Sequence, residues 1–366
     1  MTNSFNHHDF IQRISSLSGQ INDLLQNELF DNWALTKRNH LIQRLSQVKF
    51  DKTEQVYLGH HLHSARSLDD SMDFINLAED FLLNPPENLP DNSVFILLNN
   101  DVARHLQLYI DFYNSNPNAI IVIWDWDSQH WVQMSALLAM YSDFYISSTS
   151  ENASILSHFS PNILGPVFAC VHQWTRKFIL ENFDVLMKER LDTPLGMHVF
   201  YEKYVRRNRA IATVNKIFPT VSFAGNEYKV KNEIENFTEW ANHKSHWIMP
   251  VMSGVPIRVF NALICGGIPL LPKFYQNLPE ISILGDVPLY YETSDLIEPK
   301  AINDMAIARF DGSGESGLIG RVCSAIANHH VDGRCQQIFH ALEDSIGKVK
   351  SNDRSYTSGY VGVKGL

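Results

Sequence analysis

Short apolar runs alternate with amphipathic stretches along most of the chain after residue 50. The runs are rich in β-branched and aromatic residues and lie at 55–60, 93–99, 119–126, 143–148 and 162–169. Between them, apolar residues at three- and four-residue spacing predict helices, for example at 67–83 and 101–114. Alternating strands and helices are typical of βαβ units, which form parallel sheets. The same spacing predicts helices over 1–50.

The alternation returns in the second half of the chain, after a break at 192–196. Strands are predicted at 196–202, 220–225, 245–251, 267–272 and 287–292, and helices at 207–218, 232–243 and 256–266. We therefore predict an α/β protein with two Rossmann-like domains facing across a cleft. The N-terminal domain covers 1–185, with a helical extension over 1–50, and the C-terminal domain covers 186–350. Residues 351–366 form a tail, and the last helical stretch can pack on either domain.

Composition narrows the class of protein further. The 366 residues include 30 Lys and Arg against 40 Asp and Glu, a net charge of −10 that disfavours a broad nucleic-acid surface. Four widely spaced cysteines without a CxxC pair argue against a disulfide framework or a structural zinc site. No apolar run reaches the roughly 18 residues of a membrane span, and the first residues do not resemble a secretory signal. We expect a cytoplasmic protein with at most peripheral membrane association.

The most informative segment is SGVPIRVFNALICGGIPLLP, residues 253–272. Pro256 suits the first position of a helix, and Ser253 or Gly254 can lie at its cap. Gly266 and Gly267 end the helix, and a short buried strand follows. Helix N-termini attract phosphate, and Arg258 adds charge one turn in. An ordinary capped helix with a surface arginine would give the same pattern.

This segment resembles the nucleotide-sugar-binding signature of GT-B fold glycosyltransferases, and in particular the spore-maturation, capsule and lipopolysaccharide types. The positions that match are Gly254, Pro256, Arg258, Val259, Phe260, Ala262, Leu263, Cys265, Gly266 and Pro269. Asn261 departs from the pattern, because many retaining members carry a glutamate there that binds the ribose. An asparagine side chain still offers one donor and one acceptor to a ribose.

The resemblance implies a donor site in the C-terminal domain. Ser253, Gly254, Arg258 and Asn261 would hold the nucleotide sugar. Arg206 or Arg207, at the start of a predicted helix, would neutralise the departing diphosphate. Tyr228 follows a predicted strand where such folds hold the nucleoside, and it would stack on the base. A packed loop tyrosine is the alternative for that position.

The acceptor site is expected in the N-terminal domain. Asp125 and Asp127 follow a predicted strand, and open α/β sheets bind ligands outside the carboxyl ends of their strands. Either aspartate would act as a general base on an acceptor hydroxyl, although a carboxylate pair that caps the turn is equally consistent. His61, in a loop after the first strand, would be a further base, and His130 would contact the acceptor, although incidental histidines in a polar loop would give the same pattern.

The resulting hypothesis is a glycosyltransferase that moves a sugar from a nucleotide sugar to a saccharide or glycolipid acceptor, in bacterial surface polysaccharide synthesis. It would need no metal and no cofactor, and its partners would be these two substrates, with no nucleic acid. Two alternatives stay open. The first is a metal-dependent GT-A-type transferase built on Asp125 and Asp127. The second is a non-catalytic α/β protein that binds a nucleotide or sugar.

Overall fold

The computed structural model describes residues 19, 21, 39–45, 55–62, 74–128, 132–158, 160–224, 231–251 and 254–351. The chain forms two compact units. Within the described residues, the N-terminal unit consists of residues 19–172 and 331–351, with the gaps given above, and the central unit consists of residues 173–330. The domain limits expected from the sequence stay a prediction.

Eleven strands form within the described residues: β1 Val56–Leu58, β2 Phe74–Asn76, β3 Val94–Leu98, β4 Ile120–Asp125, β5 Phe144–Ser147, β6 Ile163–Leu164, β7 Gly196–His198, β8 Val221–Phe223, β9 Ser245–Trp247, β10 Ile268–Pro272 and β11 Leu289–Tyr291. Besides the helical residues 39–45, the described part of the chain contains the α-helices α1 Asn99–Val102, α2 Leu106–Ser115, α3 Val132–Met140, α4 Ser150–Ser157, α5 Arg176–Glu181, α6 Phe183–Leu186, α7 Val205–Asn215, α8 Glu233–Ala241, α9 Ile257–Ile264, α10 Pro279–Ser282, α11 Pro299–Asn328 and α12 Val331–Lys350. Single 3₁₀ turns occupy His60–Leu62, Ala103–His105, Lys273–Asn277 and Ser294–Leu296. None of the helices described here has the length and hydrophobicity to cross a bilayer.

The N-terminal unit contains a six-stranded parallel sheet in the order β2-β1-β3-β4-β5-β6. Every residue of β3 and β4 is buried, as expected of parallel strands that are covered on both faces. Apolar residues of these strands pack with one face of α12 in a single core. The last helix therefore belongs to this unit, a choice that the sequence left open.

The prediction of a helix over 67–83 was wrong for the described part of that range. Phe74–Asn76 is the edge strand β2, paired in parallel with β1 in the register Val56↔Phe74. The apolar residues Phe74, Ile75 and Leu77 fit a helical spacing about as well as a short strand. Pairing with β1 decides between the two, because tertiary contacts override local preference in short segments.

The central unit contains a second set of parallel strands. β7 pairs with β8, and β9, β10 and β11 form a three-stranded sheet. A parallel bridge between Leu195 and His246 connects β7 to β9. The strands β7 to β11 lie within the ranges predicted from the sequence, so the Rossmann-like α/β prediction is confirmed for the individual sheets.

Helix α9 differs from the prediction at one end only. Pro256 is its N-cap, with an extended backbone at φ −73° and ψ 146°, and the helix begins one residue later. At the other end, Gly266 at φ +73° ends the helix as expected. The Gly266 N–H donates to Leu263 O at 2.8 Å and the Gly267 N–H donates to Ala262 O at 2.8 Å. This pair of bonds is the Schellman motif.

Candidate functional site

The strand order of the central unit contains a switch point, where successive connections of the chain run to opposite sides of one strand. From β7 the chain passes first to β8 on one side and then to β9 on the other. Open α/β sheets bind their ligands at such a switch point, outside the carboxyl ends of the strands. The loops that follow β7 and β9 therefore mark the place to look for a site.

Arg207, on α7, connects these two loops. Its Nε donates to Met249 O at 3.0 Å, beyond β9, and its Nη1 donates to Val199 O at 2.8 Å, beyond β7. The guanidinium also lies 5.7 Å from the centre of the Tyr201 ring. Its Nη2 is buried and has no hydrogen-bond partner among the described residues. One strong donor at the switch point is thus left for a ligand.

The start of α9 adds positive potential to the same site. No acidic residue lies in its first turn, and within the described part of the chain no side chain caps it. Arg258 lies in that first turn and is half-buried. Burial and the charge of Arg258 lower the pKa of Arg207 to about 10. Two guanidinium groups and a helix N-terminus together favour a bound anion.

His198, the last residue of β7, also lies in this environment. Its side chain is buried, and neither ring nitrogen has a hydrogen-bond partner among the residues that the structure describes. Burial, Arg258 and Arg207 hold its pKa well below the usual value, and the Trp247 backbone offsets only part of this effect. The imidazole is therefore neutral at pH 7. We refer to His198, Arg207, Arg258 and the first turn of α9 as the anion site.

The other residues predicted for the donor site lie in different surroundings. Arg206 is exposed on α7, next to Arg207. The carbonyl oxygen of Gly254 accepts a hydrogen bond from the Tyr275 hydroxyl at 3.0 Å. Asn261 is buried on α9, where its Nδ2 donates to Gln173 Oε1 at 3.0 Å. Ser253 and Tyr228 lie outside the described residues, so their roles stay predictions.

The sheet of the N-terminal unit has its own switch point, between β1 and β3. His61 follows β1 and Asp101 follows β3, and His61 Nδ1 lies 2.6 Å from Asp101 Oδ1. Asp101 also accepts hydrogen bonds from the backbone N–H groups of His61 at 3.1 Å and Leu98 at 2.8 Å. Gly59 leaves room for this carboxylate, because a Cβ there would lie 1.7 Å from Asp101 Oδ2.

This geometry assigns the proton on the His61 ring. The Asp101 side chain is 1% exposed and acts as the acceptor of two backbone N–H groups, so it also accepts from Nδ1. Nε2 then carries the lone pair. The His61 side chain is 29% exposed, which makes Nε2 available as a proton acceptor.

The two aspartates predicted from the sequence differ from each other. Asp127 is half-buried, and its Oδ2 accepts a hydrogen bond from Asn100 Nδ2 at 3.3 Å. Asp125 is fully buried and accepts hydrogen bonds from Ser135 Oγ at 2.7 Å, Tyr145 Oη at 2.6 Å and the Asp127 N–H at 3.0 Å. Burial raises the pKa of Asp125 to about 6, against the effect of these hydrogen bonds. Asp125 thus holds the loop that presents Asp127.

His130 lies outside the described residues. Within the described ranges, no three His, Cys, Asp or Glu side chains come together in a way that would hold a metal ion. Sequence reasoning missed Asp101 and His198. Asp101 comes two residues after the strand predicted at 93–99, and that position was the available signal, whereas His198 lies inside the strand predicted over 196–202 and no sequence signal marked it.

Comparisons with known proteins place the chain in no family. No family model matches it, and no curated protein is significantly similar to it. Among solved structures, the crystal structure of a GtfA/B complex is similar, with 14% identity and a TM-score of 0.39 over 73% of this chain and 60% of that one. The chain thus spans less than two thirds of the length of that protein. A likeness this distant assigns no function.

Proposed function

We propose that this chain is a glycosyltransferase that moves a sugar from a nucleotide-sugar donor to a hydroxyl group of a saccharide or lipid-linked saccharide. The observation that carries the proposal is the buried, unpartnered Nη2 of Arg207 at the switch point of the central unit. A role in bacterial surface polysaccharide synthesis and a cytoplasmic location are part of the proposal. These two rest on the sequence alone.

The anion site supports the donor half of the proposal. Arg207 presents its unpartnered Nη2 and Arg258 a guanidinium group, and hydrogen bonds from such charged groups to phosphate oxygens are strong. The N–H groups of the first turn of α9 offer further donors. A pyrophosphate group that leaves the sugar gains negative charge, and fixed positive groups stabilise that charge without rearrangement. These residues can supply the positive charge that a divalent cation supplies in metal-dependent transferases.

The His61–Asp101 pair supports the acceptor half. As the bond between the sugar and the diphosphate breaks, its electron pair leaves with the diphosphate. The acceptor oxygen forms the new bond to the same carbon, and its proton passes to Nε2 of His61. Asp101 keeps the proton of the ring on Nδ1 and stabilises the positive charge that develops. Asp127, held by Asn100, is a second polar group beside the pair for acceptor hydroxyls.

Binding is tested by thermal unfolding and calorimetry with nucleoside diphosphates of each common base. The matched nucleosides without phosphate serve as controls. Because a ligand that binds only the folded state stabilises it by about 2.7 kcal/mol at 100 times its Kd, a diphosphate should raise the Tm and the nucleosides should not. Lys216→Ala removes an exposed cation at the other end of α7 and should leave binding unchanged. If no diphosphate binds, the proposal is wrong.

Turnover distinguishes an enzyme from a protein that only binds. Once a donor is found, Asp101→Asn should lower kcat about 10- to 100-fold, because the His61 ring loses the negative charge that stabilises it when it takes up the acceptor proton. The KM for the donor should stay within about two-fold, since His61 and Asp101 are assigned to the acceptor and not to the donor. Asp111→Asn, an exposed aspartate on α2, is the control. Binding without any turnover would favour the non-catalytic alternative.

The GT-A-type alternative predicts a different response to chelation. Both carboxylate oxygens of Asp125 are already occupied by Ser135, Tyr145 and the Asp127 backbone. We therefore expect a chelator to leave the activity unchanged. Loss of activity with the chelator and its recovery with manganese would instead support a metal held by Asp125 and Asp127.

A further inference from the structure

Among the buried histidines of the central unit that lie within the described residues, His198 is one of two with no hydrogen-bond partner on either ring nitrogen. The ring of His330 lies 2.9 Å from Trp174 O through Nε2, and His243 Nδ1 lies 2.6 Å from Thr193 O. His246 has no partner among the described residues either, but its ring stacks on Trp240 at a centroid distance of 5.0 Å. The ring of His198 has no such stacking partner within the described part of the chain, where the Trp247 backbone is the one main-chain group that acts on it.

An imidazole in this position costs stability. A polar group that is buried without a hydrogen bond loses its hydration and receives nothing in return, which costs about 1–3 kcal/mol. Buried polar groups without partners are uncommon in folded proteins and are found at functional sites. The side chain of His198 is 0% exposed, so bulk water does not satisfy it.

The charges around His198 decide what it can offer a ligand. Arg207 and Arg258 both oppose a positive charge on the ring. A neutral imidazole has one N–H donor and one lone pair. Next to two guanidinium groups, the N–H can point at an anion that the arginines also bind. A lysine or arginine at this position would add a third positive charge in the interior of the unit.

We propose that His198 is a further ligand of the anion site, where its neutral imidazole donates one hydrogen bond to an oxygen of the bound pyrophosphate group. This inference rests on the proposed function, because it concerns the same ligand. In this role the neutral His198 side chain orients the diphosphate and leaves the net charge of the anion site unchanged. Binding then satisfies a buried donor that the protein leaves without a partner.

The test compares three kinds of variant by calorimetry with inorganic pyrophosphate and with the best nucleoside diphosphate. His198→Phe keeps a ring and removes the N–H, and it should weaken binding about 10-fold, which is the effect of one hydrogen bond to a charged group. Either His198→Asn or His198→Gln places an amide N–H near one of the ring nitrogens, and one of them should bind within about three-fold of the wild type. His246→Phe is the matched control and should bind like the wild type.

The outcomes separate this inference from the proposed function. If the wild type binds pyrophosphate and His198→Phe binds equally well, His198 is not a ligand although the proposed function stands. Equal losses in His198→Phe and His246→Phe would show a structural role for both rings and overturn the inference. If the wild type does not bind at all, both proposals are wrong.

A spectroscopic measurement on the wild type covers the case in which His198→Phe does not fold. The ¹⁵N shifts of the His198 ring, assigned with His198→Gln, report hydrogen bonding directly. Pyrophosphate should move the shift of the protonated ring nitrogen of His198 and leave those of His246 in place. Unchanged His198 shifts at saturating pyrophosphate would contradict the inference.

Discussion

The two ends of α9 carry similar residues in opposite electrostatic settings. At its start lie Arg207, Arg258 and His198. At its end lie Arg190, Arg321 and His246, whose ring is so close to Gly267 that a Cβ there would lie 2.3 Å from Nε2. Burial is the first cause that lowers the pKa of Arg190 and of Arg321 to about 10, the value reached by Arg207. Residue type and burial alone therefore do not reveal which end binds a ligand.

The difference lies in what each end of the helix offers to a cation. Helix C-termini have free carbonyl groups and negative potential. Arg321 Nε donates to Gly266 O at 2.8 Å, and Arg190 Nη2 donates to Leu186 O at 2.9 Å at the end of α6. Both guanidinium groups lie over Phe310, at 5.1 Å for Arg190 and 5.2 Å for Arg321. Arg190 and Arg321 thus stabilise the fold through these contacts, which account for their positions without a ligand.

At the start of α9 the potential is already positive, and cations there do not stabilise the helix. Arg207 and Arg258 are nevertheless near enough to affect each other and His198, the last residue of β7. A bound anion would offset the repulsion between the two arginines and the positive potential of the helix start. The comparison teaches that a cation at a helix C-terminus is explained by the fold, whereas a cation cluster at an N-terminus calls for a ligand.

The largest expected change in free energy is the loss of stability in Arg321→Ala. The variant loses a buried hydrogen bond from a charged group and the packing on Phe310, so the free energy of unfolding should fall by about 2–4 kcal/mol. Denaturant unfolding measures this, with Lys300→Ala as an exposed control in the part of α11 that precedes the kink at Gly314. The affinity for pyrophosphate, measured below the unfolding transition, should not change. A loss of affinity as large as that of Arg258→Ala would remove the distinction between the two ends.

For Arg207→Ala and Arg258→Ala, in contrast, we expect the affinity for pyrophosphate to change. Each should weaken pyrophosphate binding by about 2 kcal/mol, or roughly 30-fold, because a charged hydrogen bond to phosphate is lost. Calorimetry at a fixed salt concentration measures the affinity, since screening by salt changes it. If both variants bind like the wild type, the start of α9 is not an anion site.

Gly266→Ala tests the C-terminal end in another way. The left-handed backbone at φ +73° disfavours an alanine, and the new Cβ would lie 2.9 Å from Leu318 Cγ and 3.3 Å from Arg190 Nη2. We expect a loss of about 2 kcal/mol in the free energy of unfolding. Pyrophosphate affinity should be unchanged. Retained stability together with weaker binding would reverse the roles of the two ends.

The smallest effect concerns the pH dependence of stability. The folded-state pKa values of His198 and His246 are well below 6.5, so their neutral forms stabilise the fold above pH 6.5, and this contribution is lost as the pH falls further. At pH 5.5 each costs about 1.4 kcal/mol, because the unfolded chain takes up the proton first. His246→Phe should remove that share of the loss between pH 7.5 and 5.5. An unchanged profile would mean that His246 titrates normally.

The sequence predicts the elements around α9 well but not their assembly. The apolar run at 268–272 and the glycines at 266 and 267 indicate β10 and the helix end, because a Schellman turn requires a glycine. Arg206 and Arg207 could not be distinguished, since adjacent helical residues point in different directions and only the packing of α7 decides between them. Asp101 and His198 were missed because their partners come from other strands, and the strand order that brings them together is not written in local periodicity.

Hydrogen–deuterium exchange with and without inorganic pyrophosphate locates the ligand on the backbone and so decides whether the start of α9 binds it. With pyrophosphate bound, we expect slower exchange in peptides that cover the start of α9 and the segment from His198 to Arg207. Peptides that cover the end of α9 and β10 should exchange at the same rate in both samples. Protection confined to that C-terminal end, or no protection at a pyrophosphate concentration that saturates a measured binding isotherm, would contradict the account.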